Sequence, residues 1–206
     1  MDSCLVGSEM CIRDRLWSKG LIYQDYKVLP YSWAASTPLS NFEANMDYRD
    51  VEDPSIYFTL DARDNYKKII KGDKFLVWTT TPWCIPGNLA IAVGKEIEYS
   101  RISIKNNFYW IATDRLFEMK DHEIEIVDVS YGKDLLGASY IPAYNEYEHL
   151  FKEGAFRIIH SDDTNTESGS GLVSQAPAYG ESDFYALKNA NIDVIADPVT
   201  LSGRFD

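Results

Sequence analysis

Residues 75–93, FLVWTTTPWCIPGNLAIAV, carry the pattern on which the rest of the chain depends. Two apolar runs, FLVW and LAIAV, flank a polar segment that holds three consecutive threonines and two prolines. Both runs are short and apolar, with aromatic or β-branched residues inside them and Pro and Gly between them. This pattern predicts strands at 75–78 and 89–93.

The threonines are expected to continue the first strand, because Pro82 keeps the residue before it extended. Side chains alternate along a strand, so Thr79 and Thr81 should share one face and Thr80 the other. Pro82 and Pro86 then interrupt regular strand pairing, which leaves backbone groups and hydroxyls free to meet a ligand. The simpler alternative is that three threonines only favour a strand, as β-branched residues do.

The segment 78–93 resembles the threonine-rich peptide of the editing domain of isoleucyl-tRNA synthetases, which usually reads close to WTTTPWTLPxNLAIAV. Valyl and leucyl enzymes carry Arg-Pro where this chain has Thr81 and Pro82. The departures from the usual text are Cys84, where the family has Thr, and Ile85, where it has Leu. The resemblance implies the β-barrel-like editing domain of the valyl/leucyl/isoleucyl-tRNA synthetase type.

A second motif, GSGLVSQAPAYGESD at 169–183, is similar to the GTGxVHxAPxxGxxD of isoleucyl editing domains. Gly169 and Gly171 are expected to let the backbone approach a ligand closely. The resemblance places Asp183 where the family has the carboxylate that binds the substrate's α-ammonium group. Such a charge-assisted contact would fix the ester for attack. The alternative for Asp183 is a residue of a helix's first turn, favoured there by the helix dipole.

Ser174 occupies the position of the family's usual histidine, which lines the amino-acid pocket and is linked to rejecting the larger, cognate side chain. Serine is smaller and keeps a hydroxyl, so relaxed discrimination or weaker editing is expected. The chain's own histidines, His122, His149 and His160, have no comparable context. They are expected to be structural or solvated.

The composition of the 206 residues, with 45% hydrophobic side chains, is that of a globular domain with a sizeable core. The net charge of −12 argues against a freestanding nucleic-acid binder, since phosphate neutralisation supplies most of such affinity. No apolar run approaches the ~20 residues that span a bilayer, and no signal-peptide pattern opens the chain. The three cysteines form neither a disulfide framework nor a metal-ligand spacing, which fits a reducing cytoplasm.

The chain divides into three predicted parts. Residues 1–15 show no continuing strand or helix period and match no family phrase, so we predict a non-native or disordered segment. Residues 16–56 resemble the family's linker from the catalytic to the editing domain through the phrases KGLIY, KVLPYS, TPLSNFE and DVEDPS. Residues 57–206 are predicted to be the editing domain. No zinc is expected, because the linker lacks the cysteines that some synthetases place there.

The remaining pattern predicts many short strands and a few short helices. The strands are at 55–60, 97–104, 108–112, 123–129, 156–160 and 171–174. Asn106 and Asn107 are expected to form a hairpin turn. Thr113 and Ser182 should begin two short helices, the second closed by Asn191. The fold class is therefore mainly β with peripheral helices (α+β), arranged as a barrel-like domain.

The function that the resemblance implies is post-transfer editing, the hydrolysis of the ester of mischarged tRNA(Ile), chiefly Val-tRNA(Ile). One methylene gives only ~1–3 kcal/mol of discrimination, a limit for which these enzymes are the standard example, so a second, hydrolytic sieve is needed. The expected catalytic residues are Thr79, Thr80, Thr81 and Asp183. The expected substrate-binding residues are Trp83, Asn88, Gly169, Ser170, Gly171, Ser174 and Ala176.

The expected partners are the 3′ acceptor end of tRNA(Ile) and the remainder of a parent synthetase, with a monomeric, cytoplasmic chain. No cofactor or metal is expected, since ATP would serve only a synthetic domain whose HIGH and KMSKS signatures do not occur. The alternative function is a non-catalytic module that binds the tRNA acceptor end, or is structural, with a decayed editing site. A general esterase is disfavoured, because a GxSxG elbow and a Ser/His/Asp set are missing.

Overall fold

The computed structural model describes residues 3–46 and 48–205, with side chains from residue 11 onward. Its helices are α1 Ser3–Ser18, α2 Asn41–Ala44, α3 Gly132–Leu135 and α4 Glu181–Asn189, with 3₁₀ turns at Pro82–Gly87, Thr113–Met119 and Glu148–Glu153. Its strands are β1 Tyr31–Ser32, β2 Thr37–Pro38, β3 Ile56–Asp61, β4 Lys74–Thr79, β5 Ala90–Val93, β6 Glu98–Ile104, β7 Asn107–Ala112, β8 Glu125–Tyr131, β9 Arg157–His160 and β10 Val173–Gln175.

Strands β3 to β10 form one mixed sheet in the described part of the chain, in the order β8-β6-β7-β4-β10-β5-β9, with β3 added to β4. Strand β4 has three partners. It pairs antiparallel with β3 along its length, parallel with β7 at Lys74 and Phe75, and parallel with β10 at Trp78. The sheet therefore divides at β4 and curls into a half-barrel with few helices, as the sequence predicts.

The core lies against β4 and β5. Phe75, Val77, Leu89 and all four residues of β5 are buried, together with Trp110 of β7. Strands that are covered on both faces read as continuous apolar runs and do not alternate. This explains why FLVW and LAIAV lack the period of two that half-exposed strands show.

The predicted strands all occur, with shifts of up to two residues at their ends. The hairpin turn lies one residue earlier than predicted, at Lys105 and Asn106, whose φ angles are 49° and 65°. Asn107 already belongs to β7, where it pairs with Ile104. Thr113 does not cap its helix, because its hydroxyl instead shares a hydrogen bond of 2.9 Å with Ser100.

The prediction for α4 is confirmed at its end and wrong at its start. Asn191 follows the helix with a φ of 58°, the left-handed conformation that closes helices. Gly180 is the N-cap residue, and Ser182 lies inside the first turn. The start was misplaced because Asp183, rather than a capping serine, engages the chain that precedes the helix.

The amino-terminal residues differ from the expectation of no regular structure, since α1 covers Ser3–Ser18. Its described side chains, at 11–18, are all exposed, and a helix without a buried face leaves no apolar period to detect. The prediction for residues 1 and 2 lies outside the described residues. That residues 1–15 are foreign to the fold stays a prediction.

The linker carries the short hairpin β1–β2, which lies beside the carboxyl-terminal turn. The hydroxyl of Tyr31 donates to the carbonyl oxygen of Leu201 at 3.1 Å, so the hairpin contacts this turn. Ser40 and Glu43 form a reciprocal capping box on α2. Within the described residues, no helix has the length and apolar character to cross a membrane.

Candidate functional site

The threonines stand at the end of β4. Thr79 is the last strand residue and is buried, whereas Thr80 is exposed and Thr81 half-buried. The hydroxyl of Thr79 accepts a hydrogen bond of 3.1 Å from the backbone N–H of Thr81, and the two hydroxyl oxygens lie 3.3 Å apart. The predicted alternation is confirmed, with Thr79 and Thr81 together and Thr80 on the other side.

Cys84 lies shortly after the threonines, in the 3₁₀ turn that Pro82 begins. Its backbone N–H donates to the carbonyl oxygen of Thr81 at 2.9 Å, and its thiol forms a hydrogen bond with the Thr81 side chain. Burial raises the pKa of the thiol, the bond to Thr81 opposes this, and the negative charge of Asp183 adds to the rise. The thiol is therefore neutral.

Asp183 is half-buried in the first turn of α4, and its Oδ2 accepts a hydrogen bond of 2.8 Å from the backbone N–H of Ala176. Burial raises the pKa of the carboxyl group, hydrogen bonds from Ala176 and Ser182 pull it back, and the charge of Asp163 raises it further. A Cβ on Gly180 would lie 2.8 Å from Cγ of Asp183, so only glycine leaves room for this carboxylate.

Strand β10 places Ser174 next to the threonines. Val173 pairs with Trp78 in parallel register, so the following residues, Ser174 and Thr79, face the same side of the sheet. The Ser174 hydroxyl is half-buried and accepts a hydrogen bond of 2.9 Å from Nδ2 of Asn88. The two motifs, which are distant in sequence, therefore meet at the carboxyl end of β4.

The glycine loop before β10 approaches protein groups closely. Gly169 and Gly171 have φ angles of +69° and +76°, and a Cβ would lie 2.6 Å from the Trp78 ring and 2.4 Å from Cβ of Ala112, respectively. Close packing against the protein therefore explains why glycine is required at both positions. That these glycines let the backbone approach a ligand stays a prediction. Ser170 is fully buried and bonds to the backbone of Leu172, so a contact with substrate would require the loop to move.

Trp83 faces a cleft that the other candidate residues do not line. Its half-exposed ring packs edge-on against Tyr179, with centroids 5.0 Å apart. Both rings line a cleft of about 820 Å³ between the linker and the carboxyl-terminal turn. A second cleft, of about 510 Å³, lies beside β9. Among the described residues, Thr79, Thr81 and Asp183 line neither of these clefts.

Two residues that the sequence analysis does not single out hold the site together. The Tyr140 hydroxyl donates to Oδ1 of Asn88 at 2.6 Å, and Nε of buried Arg115 donates to the carbonyl oxygen of Gly169 at 2.8 Å. The two partners of each bond are 52 and 54 residues apart in the chain, respectively, so no local sequence pattern predicts these bonds. No cluster of three or more potential metal ligands occurs in the part of the chain that the structure describes.

The comparison with known proteins agrees with this geometry. Residues 1–168 match the family model of class I tRNA synthetases (I, L, M and V). The chain is 41% identical to an isoleucine–tRNA ligase of Bdellovibrio bacteriovorus and 40% identical to one of Protochlamydia amoebophila. Both alignments cover the whole of this chain. A probable cytoplasmic isoleucine–tRNA ligase of Dictyostelium discoideum is 39% identical over 89% of the chain. The chain spans only 17–20% of the length of these curated relatives.

Solved structures show the same fold at low sequence identity. The crystal structure of GlLeuRS-CP1 matches with a TM-score of 0.54 and 17% identity, covering 66% of this chain and 58% of that one. The editing domain of P. knowlesi cytosolic leucyl-tRNA synthetase matches with a TM-score of 0.50 and 10% identity, covering 70% and 66%. The half-barrel is thus the fold of CP1 editing domains, and the chain belongs to the class I tRNA synthetase family of the I, L, M and V type.

Proposed function

We propose that this chain is the proofreading domain of an isoleucyl-tRNA synthetase and hydrolyses the ester of mischarged tRNA(Ile), chiefly Val-tRNA(Ile). The observation that carries the proposal is the meeting of the two motifs, since the pairing of Val173 with Trp78 brings Ser174 beside Thr79. The Asp183 carboxylate is bonded to the backbone of Ala176, two residues after Ser174. The family membership and the similarity to isoleucine–tRNA ligases support the choice of substrate.

The proposed roles follow from which polar atoms are already engaged. Asp183 uses Oδ2 for the Ala176 N–H, whereas Oδ1 accepts only a long bond of 3.5 Å from the Ser182 hydroxyl. Oδ1 is therefore the oxygen to accept the substrate's ammonium group. The hydroxyl of Thr79 already accepts from the backbone N–H of Thr81, so Thr79 orients its neighbour, and Thr81 meets the ester and attacking water. Thr80 lies on the other side of the strand, so its proposed role is limited to the ribose at the end of β4. The ammonium group already activates an aminoacyl ester, so holding it in line with water supplies much of the acceleration.

The proposed partners are the 3′ acceptor end of tRNA(Ile) and the remaining domains of the parent enzyme, in a cytoplasmic, monomeric protein. Water is the only co-reactant that ester hydrolysis needs, so the proposal includes no metal or cofactor. Since the chain carries a net charge of −12, the remaining domains would supply most of the cationic contacts to RNA.

The test is the rate of deacylation of Val-tRNA(Ile) by the chain, compared with the same chain carrying Asp183→Ala. We expect the wild type to accelerate hydrolysis and the variant to lose roughly 10- to 100-fold in rate, the range for a hydrogen bond to a charged group. A rate equal to that of buffer, both for the chain alone and for its parent synthetase, would overturn the proposal.

The second candidate, a non-catalytic acceptor-end binding or structural module, is favoured by one observation, the serine at position 174. A chain that binds the acceptor end of Val-tRNA(Ile) without hydrolysing it would support this candidate. If editing does occur, the ratio of Val-tRNA(Ile) to Ile-tRNA(Ile) hydrolysis should rise in Ser174→His. An unchanged ratio would show that position 174 does not set the discrimination.

A further inference from the structure

Tyr140 is a buried hydrogen-bond donor next to the proposed site. Its side chain has no exposed surface, and its hydroxyl donates to Oδ1 of Asn88 at 2.6 Å. Burial raises the pKa of this phenol well above its ordinary value, so the hydroxyl keeps its proton. The amide oxygen can only accept a hydrogen bond, so the direction of this bond is fixed.

The Asn88 amide is fixed at its other end as well. Its Nδ2 donates to the backbone oxygen of Ala90 at 2.8 Å and to Oγ of Ser174 at 2.9 Å. The carbonyl of Ala90 only accepts, so the amide cannot turn over without losing two bonds. Both protons of the NH₂ group are therefore engaged. Asn88 was predicted to bind substrate, but its donors are directed at the protein.

The Ser174 hydroxyl is the last group in this chain of bonds. Because its oxygen accepts from Asn88, its own proton remains to be donated. No residue in the described part of the chain accepts that proton. Ser174 is half-buried on the face of the sheet that also carries Thr79, so the proton lies on the side of the proposed site.

We infer that Tyr140 is a positioning residue that acts through Asn88 to hold Ser174 as a hydrogen-bond donor to an oxygen of the bound aminoacyl ester. The inference rests on the proposed function and adds the direction of one contact to it. A serine hydroxyl alone rotates about two bonds, and fixing its acceptor side limits where the proton points. A donor that is oriented before the substrate binds needs no reorganisation during the reaction.

The test is a double-mutant cycle on the hydrolysis of Val-tRNA(Ile), with Tyr140→Phe, Ser174→Ala and the double variant. Each single change should lower kcat by about fivefold, the effect of one hydrogen bond, with little change in KM. The double variant should be no slower than Ser174→Ala, because Tyr140 acts through Ser174. Effects that multiply would overturn the inference.

The matched control is Tyr66→Phe. The hydroxyl of Tyr66 also donates one hydrogen bond, of 2.8 Å, to the backbone oxygen of Leu136, outside the proposed site. This variant should hydrolyse the ester at the wild-type rate. If Tyr140→Phe lowered kcat no more than Tyr66→Phe does, Tyr140 would be a structural residue only.

A second readout separates this inference from the proposed function. The side-chain amide of Asn88 has two NMR-visible protons, and Ser174→Ala should shift chiefly one of them, whereas Tyr140→Phe should make both exchange with water about fivefold faster. If the wild type is inactive but this pattern appears, the hydrogen-bond chain stands and the proposed function falls. If the wild type is active and the amide does not respond, the inference falls alone.

Discussion

Asp183 is a half-buried carboxylate whose acid chemistry differs from its ordinary state. Burial is the main cause that raises the pKa of its carboxyl group above the ordinary value of 3.8. The folded protein therefore binds this proton more tightly than the unfolded chain does. The resulting stability is complete below pH 3.8 and is lost as the pH rises through the folded pKa.

We predict that Asp183→Asn is at least as stable as the wild type at pH 7 although it hydrolyses the ester poorly. The amide oxygen can still accept the Ala176 N–H, and no charge has to be buried. Thermal unfolding as a function of pH checks this, and the advantage of the variant should vanish below pH 3.8. A variant that is less stable than the wild type at pH 7 would show that the charge is not penalised by the fold.

The sequence predicts the residue-scale facts that depend on neighbours in the chain. The opposite faces of Thr79 and Thr80 follow from strand alternation and the proline that comes next. Tyr140 and Arg115 were missed, because their contacts with Asn88 and the glycine loop depend on the folded sheet.

The short strand β10 depends on the glycine loop that leads into it. Gly171 combines a φ of +76° with a Cα hydrogen that faces Cβ of Ala112, and its carbonyl oxygen accepts a 2.7 Å hydrogen bond from Tyr99. The loop therefore has little room to adjust. Any side chain at position 171 would disturb the pairing of β10 with β4 and β5.

We predict that Gly171→Ala lowers the free energy of unfolding by roughly 2–5 kcal/mol, the sum of the left-handed conformation and overpacking. The control is Gly72→Ala, since Gly72 has a φ of +86° but no atom within 4 Å of an added Cβ. It should cost only about 1–2 kcal/mol. Urea denaturation of both variants measures the difference. Equal losses would show that Ala112 moves aside to accommodate the added methyl group at little cost.

At the scale of elements, the sequence predicts that each strand occurs more accurately than it predicts the residues at which the strand begins and ends. The hairpin turn was placed one residue late because Asn106 and Asn107 both tolerate a positive φ, and only the pairing of Ile104 with Asn107 decides between them. The start of α4 was missed because a glycine caps it, and Gly180 is there to make room for Asp183.

One buried ion pair joins distant parts of the molecule. Asp73, in the turn before β4, accepts hydrogen bonds of 2.8 Å from Nε and Nη2 of Arg101 on β6. It also accepts a bond of 3.1 Å from Nε1 of Trp110 on β7. All three residues are buried, so the carboxylate and the guanidinium depend on each other.

We predict that Asp73→Ala destabilises the protein by about 3–5 kcal/mol, because it leaves the Arg101 charge buried without its partner. The control is Asp61→Ala. Asp61 pairs with Lys74 at 2.7 Å, but both side chains are partly exposed, so its loss should cost less than about 1 kcal/mol. Chemical denaturation compares the two, and similar losses would mean that water reaches the buried pair.

The overall architecture was predicted from the pattern of short strands and few helices, in agreement with the family resemblance, and the strand order was not predicted. The division of the sheet at β4, with β7 and β10 on different parts of one strand, depends on pairings between distant segments. No local pattern encodes them. The same division brings Ser174 to Thr79, so the feature that assembles the site is the one that the sequence does not reveal.

The most direct test of the account is a double-mutant cycle between Thr81→Val and Asp183→Asn, read as kcat/KM for hydrolysis of Val-tRNA(Ile). If the two residues serve one site, each single variant should lose roughly tenfold or more, and the double variant should lose clearly less than the product of the two. Independent, multiplying losses, or two singles as active as the wild type, would contradict a shared hydrolytic site.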